Sequence, residues 1–242
     1  MNGELRGKVA LVTGVGRAGQ IGHAVARMLG GAGARLVIAD VNAAALAERA
    51  AELTAAGIDT ATSAGDLTRP AGGAAAVAAA AGRYGGLDVL VNVAGGFFNS
   101  GPFTDVAPDK LDLDLAVNFK TCFFTCQAAV PALVARGGGS IVNFASIAAV
   151  HSLANMAAYT AAKSAVAGLT RALAREYRDA GVRVNAVAPA TVRTADNVSQ
   201  LGTDPKTPYV EIEDVVRVVL FLASDASRGV SGQIVPVTGK VY

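Results

Sequence analysis

The sequence predicts an α/β protein: a doubly wound parallel sheet with helices on both faces. Short Val- and Ile-rich runs alternate along the chain with longer alanine-rich segments. Each run is nearly continuous in apolar residues, as a strand covered on both faces must be. A glycine-rich turn separates the first run from the first helical segment, so the alternation opens as strand, turn, helix.

Taken in order, residues 9–13, 35–39, 89–92, 140–144, 183–187 and 234–237 are predicted strands. The intervening segments 21–31, 42–56, 70–84, 112–136, 156–179 and 211–224 are predicted helices. Gly31 and Gly57 fit helix C-caps, Pro70 fits a first helical turn, and Gly181 ends the helix before the fifth strand. Gly137–Gly139 reads as a tight turn. With no linker, 1–242 is expected to be a single domain.

Composition narrows the partners. Hydrophobic residues make up 52% of the 242 and charged residues 17%, enough apolar surface for a large core. Net charge is +2, with the cations scattered, which argues against nucleic acid. No stretch reaches the ~18 apolar residues of a membrane span, and the N-terminal segment lacks the ~7–15 apolar residues of a signal peptide, so a cytoplasmic location is expected. Cys122 and Cys126 lie four apart in an apolar stretch, with only His23 and His151 as further soft ligands, so packing is expected and no metal.

The turn runs Gly14-Val15-Gly16-Arg17-Ala18-Gly19-Gln20-Ile21-Gly22. Glycines let a backbone approach a pyrophosphate, and a helix N-terminus offers free N–H groups and partial positive charge, so Gly14, Arg17, Gly19, Gln20, Ile21 and Gly22 are candidate cofactor contacts. Asp40 lies eighteen residues beyond Gly22 at the end of the second strand, close to the ~20 expected for an acid that binds an adenosine ribose. A 2′-phosphate there would face it at ~4 Å, at a cost of about 4 kcal/mol per charge pair before screening at an effective dielectric near 20. NAD is therefore expected, with NADP as the alternative because Arg17 lies within reach of a phosphate.

Tyr159 and Lys163, four apart, project from one helix face. Ser146 lies just past the fourth strand, Asn92-Val93-Ala94-Gly95 follows the third, and Asn118 sits inside a helix. Together these residues resemble the short-chain dehydrogenase/reductase family in its single-domain form, over essentially the whole chain. The resemblance implies a Rossmann-like fold and makes Asn118, Ser146, Tyr159 and Lys163 the catalytic set. It also implies cofactor contacts from Asn92, Ala94 and Gly95, from Asp66 with Leu67 beside it at the adenine, and from Pro189, Thr191, Val192 and Thr194 at the nicotinamide. It further implies a homo-oligomer, tetramer or dimer, with the helices carrying Cys122 and Val166 as contacts. The chain departs from the family pattern in about two extra residues in the glycine loop and in Ala190 after Pro189.

The implied reaction is hydride transfer between a nicotinamide and a small carbonyl or alcohol substrate. A tyrosine of pKa ~10 needs help to act as a base at neutral pH; Lys163 at ~4.5 Å would stabilise the phenolate by roughly 3.7 kcal/mol. A 3-oxoacyl carrier-protein reductase using NADPH is the alternative, docked through Arg136, Arg175 and Arg178; a cofactor sensor without turnover is another, opposed by the complete catalytic set. Phe97, Phe98, His151, Asn155 and Arg193 are candidate pocket residues. Gly202, Pro205 and Pro208 predict a segment 195–210 with little stable helix, hence a partial lid.

Overall fold

Strands apolar at every position have two faces to bury, and both are buried here. The computed structural model describes residues 3–204 and 206–239, so Pro205 lies outside the described residues. The strands are β1 (Val9–Thr13), β2 (Arg35–Asp40), β3 (Thr60–Ala64), β4 (Val89–Asn92), β5 (Gly139–Phe144), β6 (Val182–Pro189) and β7 (Ile234–Val237). They form one sheet in the order β3-β2-β1-β4-β5-β6-β7, parallel at every pairing. The helices are α1 (Ile21–Gly31), α2 (Ala43–Ala55), α3 (Pro70–Tyr84), α4 (Pro108–Leu115), α5 (Thr121–Ala135), α6 (Ala148–His151), α7 (Ala157–Glu176), α8 (Ala195–Leu201) and α9 (Ile212–Ala223).

Alternate strand residues feed the two cores. Ala10, Val12, Leu36, Ile38, Val91 and Val142 pack under α1, α2 and α9. Val9, Leu11, Val37, Leu90 and Ile141 pack under α3, α5 and α7. The chain moves outward from β1 to β3 and then crosses back to β4, which opens a crevice where the carboxyl ends of β1 and β4 diverge, the usual ligand position in such sheets.

Three expectations need correction. β3, TATSA, is an edge strand with no continuous apolar run, so the signal that revealed the other strands was missing there. The predicted helix 112–136 starts earlier, at Pro108, and is interrupted by a π-helical turn over Ala116–Lys120. Segment 195–210 does begin with a helix: Thr194 caps α8 by accepting from the Asn197 N–H, and Gly202, with φ +81°, closes it. On the helices expected to make subunit contacts, the Cys122 and Val166 side chains themselves face the core between α5 and α7.

α3 and α5 approach closely because Gly73 has no side chain: a methyl there would sit 2.7 Å from the Phe124 carbonyl oxygen. Gly82, on the same helix, faces open space. Helix propensity alone would favour Ala at both positions by up to ~1 kcal/mol. Urea unfolding should therefore show Gly82→Ala stabilised, and Gly73→Ala destabilised by about 1–3 kcal/mol as overpacking outweighs propensity. Equal stabilisation of the two would refute the close contact.

Candidate active site

The carboxyl edge of the sheet gathers most of the polar residues singled out above. Gly14, at φ +73°, follows β1 where a side chain would lie 2.8 Å from the Ala94 Cα, and the Ala94 N–H donates to Thr13 Oγ1 at 3.1 Å. A methyl on Gly22 would overlap the Gly14 carbonyl oxygen, so α1 can start only against a bare backbone. Gln20 is the N-cap of α1 and forms no side-chain cap bond; Ile21 is its first residue, and no acid lies in its first turn. Asp40 accepts from the Gly16 N–H at 2.8 Å through one carboxylate oxygen and from the Asn42 N–H at 3.0 Å through the other. Asp66, next to buried Leu67, accepts from the Thr68 N–H and hydroxyl, which hold its carboxyl below the usual range.

A bare helix N-terminus, glycines at contact distance and a carboxylate aimed into the same crevice fit a dinucleotide: its pyrophosphate on the N–H groups, its ribose on Asp40.

Two candidates turn elsewhere. The Asn92 side chain points into the core, donating to Asn143 Oδ1 at 3.0 Å and to Cys126 Sγ, and Asn143 continues the chain to Thr170. Arg17 is ion-paired to Asp196 on α8, and the Ala195 N–H donates to the Gly19 carbonyl at 3.2 Å. The longer glycine loop is thus joined to the segment after β6. At the base of that segment, Val192 pairs with Val210, the Val210 N–H donates to the Thr191 carbonyl, and Tyr209 Oη donates to the carbonyls of Asn197 and Gly202. Thr194 is buried at the start of this segment, while Pro189 ends β6.

Lys163, buried on α7, donates from Nζ to the carbonyl of Phe144, the last residue of β5, at 3.0 Å. Burial lowers its pKa to about 8, opposed by the neighbouring Cys122 sulfur and by the Asp114 carboxylate. Asn118 lies in the π-helical turn, whose extra residue rotates it inward; its Oδ1 accepts from the Gly96 N–H at 3.0 Å. Both atoms crowd Gly95: a methyl there would lie 2.9 Å from Asn118 Oδ1 and 3.1 Å from Lys163 Nζ. Ser146, just past β5, hydrogen-bonds Tyr159. Phe97 packs edge-on against the Tyr159 ring, with centroids 5.3 Å apart at 84°.

The expected depression of the Tyr159 pKa by Lys163 is not present in this structure. Burial pushes the phenol up, the Ser146 hydrogen bond pulls it down, and Asp114 adds an upward push. Lys163 Nζ, 5.8 Å from the ring centroid, is directed instead to the Phe144 carbonyl. Arg136, Arg175 and Arg178 line a polar groove of about 840 Å³ at the opposite edge, among the residues that open β4, β5 and β6.

A family model described as enoyl-(acyl carrier protein) reductase matches residues 14–239. The chain is 35% identical over 246 residues to a cyclohexanol dehydrogenase of Acinetobacter sp. (strain SE19), covering 99% of this chain and 96% of that one. It is 39% identical over 241 residues to a trans-4-hydroxycyclohexanecarboxylate dehydrogenase of Sinomonas cyclohexanicum, covering 96% and 92%. A solved short-chain type dehydrogenase/reductase from Mycobacterium ulcerans superposes with a TM-score of 0.91 at 32% identity, covering 99% and 90%.

The chain belongs to the short-chain dehydrogenase/reductase family. It is an NAD(P)-dependent oxidoreductase, and a nicotinamide dinucleotide is the cofactor its crevice fits.

Within this dehydrogenase, the sequence reading overlooked Asp114 and Asn99. Asp114 had a signal, four residues before Asn118 on a helix. The hydrogen bond from Asn99 Nδ2 to Asp114 Oδ2, at 3.1 Å, depends on a loop path that no local pattern encodes. Gly95→Ala tests the crowding around Asn118 and Lys163. The added methyl should leave the circular dichroism spectrum unchanged but misplace these groups, cutting turnover about 10²-fold. Retention of more than a tenth of the activity would show that the spacing is not critical.

Proposed function

We propose that this dehydrogenase transfers hydride between NAD(H) and a secondary alcohol or ketone, with a cyclic carbon skeleton as the preferred substrate. The carrying observation is the convergence of Tyr159, Ser146, Lys163 and Asn118 on the crevice edge that also holds Asp40. Tyr159 gives a proton to, or takes one from, the substrate oxygen, and Ser146 holds that oxygen by hydrogen bonding. Lys163 and Asn118 supply the polar route by which the Tyr159 proton is replaced. The nicotinamide, when bound, accepts or donates the hydride.

Asp40 supports NAD over NADP: its two oxygens are fixed by the N–H groups of Gly16 and Asn42 and retain lone pairs for a ribose diol, whereas a 2′-phosphate would meet like charge. Arg17, the residue that would favour NADP, is engaged by Asp196. Exposed Phe97, whose ring packs edge-on against Tyr159, gives the site an apolar face suited to a ring. Relatives named for cyclohexanol and hydroxycyclohexanecarboxylate agree with that choice. The homo-oligomer belongs to the same proposal, with the outer faces of the helices carrying Cys122 and Val166 as its contacts.

Three assays check the reading. Tyr159→Phe should retain NAD binding and lose ~10²–10⁴ in turnover; more than a tenth of wild-type activity would remove Tyr159 from the mechanism. Fluorescence titration should show NADH binding at least about tenfold tighter than NADPH, or ~1.4 kcal/mol, whereas equal or tighter NADPH binding would favour the carrier-protein alternative. Across ketones running from short acyclic to cyclohexyl, kcat/KM should rise with size; a sharp optimum at the smallest member would mean a closed pocket.

A further inference from the structure

Asp114 is a fully buried carboxylate that the reaction above does not use. Removing such a charge from water costs several kcal/mol unless its oxygens are filled. Among the described residues no cation pairs with it directly; two side-chain amides fill it instead. Asn118 Nδ2 donates to Oδ1 at 3.3 Å, and Asn99 Nδ2 donates to Oδ2 at 3.1 Å and to the Lys110 carbonyl at 3.4 Å.

The chemistry of these contacts is directional. An ionised carboxylate only accepts, so each amide must turn its NH2 toward Asp114. For Asn118 this leaves Oδ1 facing the Gly96 N–H and, across Gly95, the Lys163 ammonium. A flipped amide would set NH2 against both donors and leave its oxygen against the carboxylate. For Asn99 the same rule anchors the loop that carries Phe97, whose ring rests on Tyr159.

We propose that Asp114 is a positioning residue: one carboxylate fixes the Asn118 amide with its oxygen toward Lys163 and pins the Phe97 loop through Asn99. This rests on the functional reading above. The titratable groups around it are Lys163 and Tyr159 on α7 and, beyond Lys163, Cys122 on α5. The Asp114 charge raises the pKa of both Lys163 and Tyr159.

Asp114→Asn and the volume-filling Asp114→Leu, compared with wild type, test it by two readouts. The first is steady-state kinetics: kcat should fall roughly ten- to hundredfold in both variants with the Kd for NADH unchanged, as expected for misplaced catalytic groups. The second is the near-ultraviolet phenolate titration of cofactor-free protein, with Tyr159 isolated by subtracting Tyr159→Phe. Tyr159 should titrate at lower pH in Asp114→Asn than in wild type. Asn99→Ala should raise the substrate KM while leaving the Tyr159 titration in place.

If Asp114 only supports the fold, Asp114→Leu restores the rate. A kcat within about threefold of wild type in either folded variant, or an unmoved Tyr159 titration, overturns the proposal. Should Asp114→Leu fail to fold, the near-isosteric Asp114→Asn decides alone. Should wild type turn over no alcohol or ketone, the functional reading fails while the titration still decides the role of Asp114.

Discussion

An ammonium group without water must be given oxygens, and the carboxyl edge of this sheet is arranged around that need. Lys163 receives one from the Phe144 carbonyl at 3.0 Å, and a second, Asn118 Oδ1, lies on the other side of Gly95. The first requires β5 to end where α7 passes. The second requires the π-helical turn that rotates Asn118 inward and a glycine at position 95 to leave room between the two side chains. Burial still dominates and draws the lysine down to about 8, a range in which a side chain can both hold and release a proton near neutral pH.

The rest of the crevice is built with the same economy of backbone. Gly14 and Gly22 let β1, α1 and the loop after β4 approach at distances no side chain would permit, which opens a path for a pyrophosphate along the start of α1. The longer glycine loop reaches α8 through Arg17 and Gly19, so the loop and the segment after β6 form one continuous surface. Arg17 is mostly exposed, at 69% of its side chain, and such an ion pair contributes no more than ~1 kcal/mol. The backbone pairing of Val192 with Val210 keeps the base of the segment in place.

Much of this was legible in the sequence because burial and chemistry leave local marks. Strands buried on both faces are runs of Val, Leu and Ile, which located every strand except β3, whose alternating polar residues face solvent at the sheet edge. Spacing alone sets Tyr159 and Lys163 on one helix face, while the role of all four residues, Ser146 and Asn118 included, came from the resemblance to the family's motifs; the structure brings them together. The π-helical turn and the Asn92 orientation were not legible: a one-residue change in helical phase and the inward choice of an amide are decided by tertiary packing. α8 was misjudged because glycine and prolines were weighed over the whole segment, while Thr194 and Gly202 cap just its first seven residues.

The account stands on the claim that Lys163 is desolvated, with the Phe144 carbonyl as its hydrogen-bond acceptor. NMR titration of protein labelled at the lysine ε-carbon, with the Lys163 signal identified by its absence in Lys163→Met, measures this directly. The account predicts that Lys163 titrates at about 8, well below the exposed lysines at ~10.4. A Lys163 signal that titrates together with the exposed lysines would contradict it.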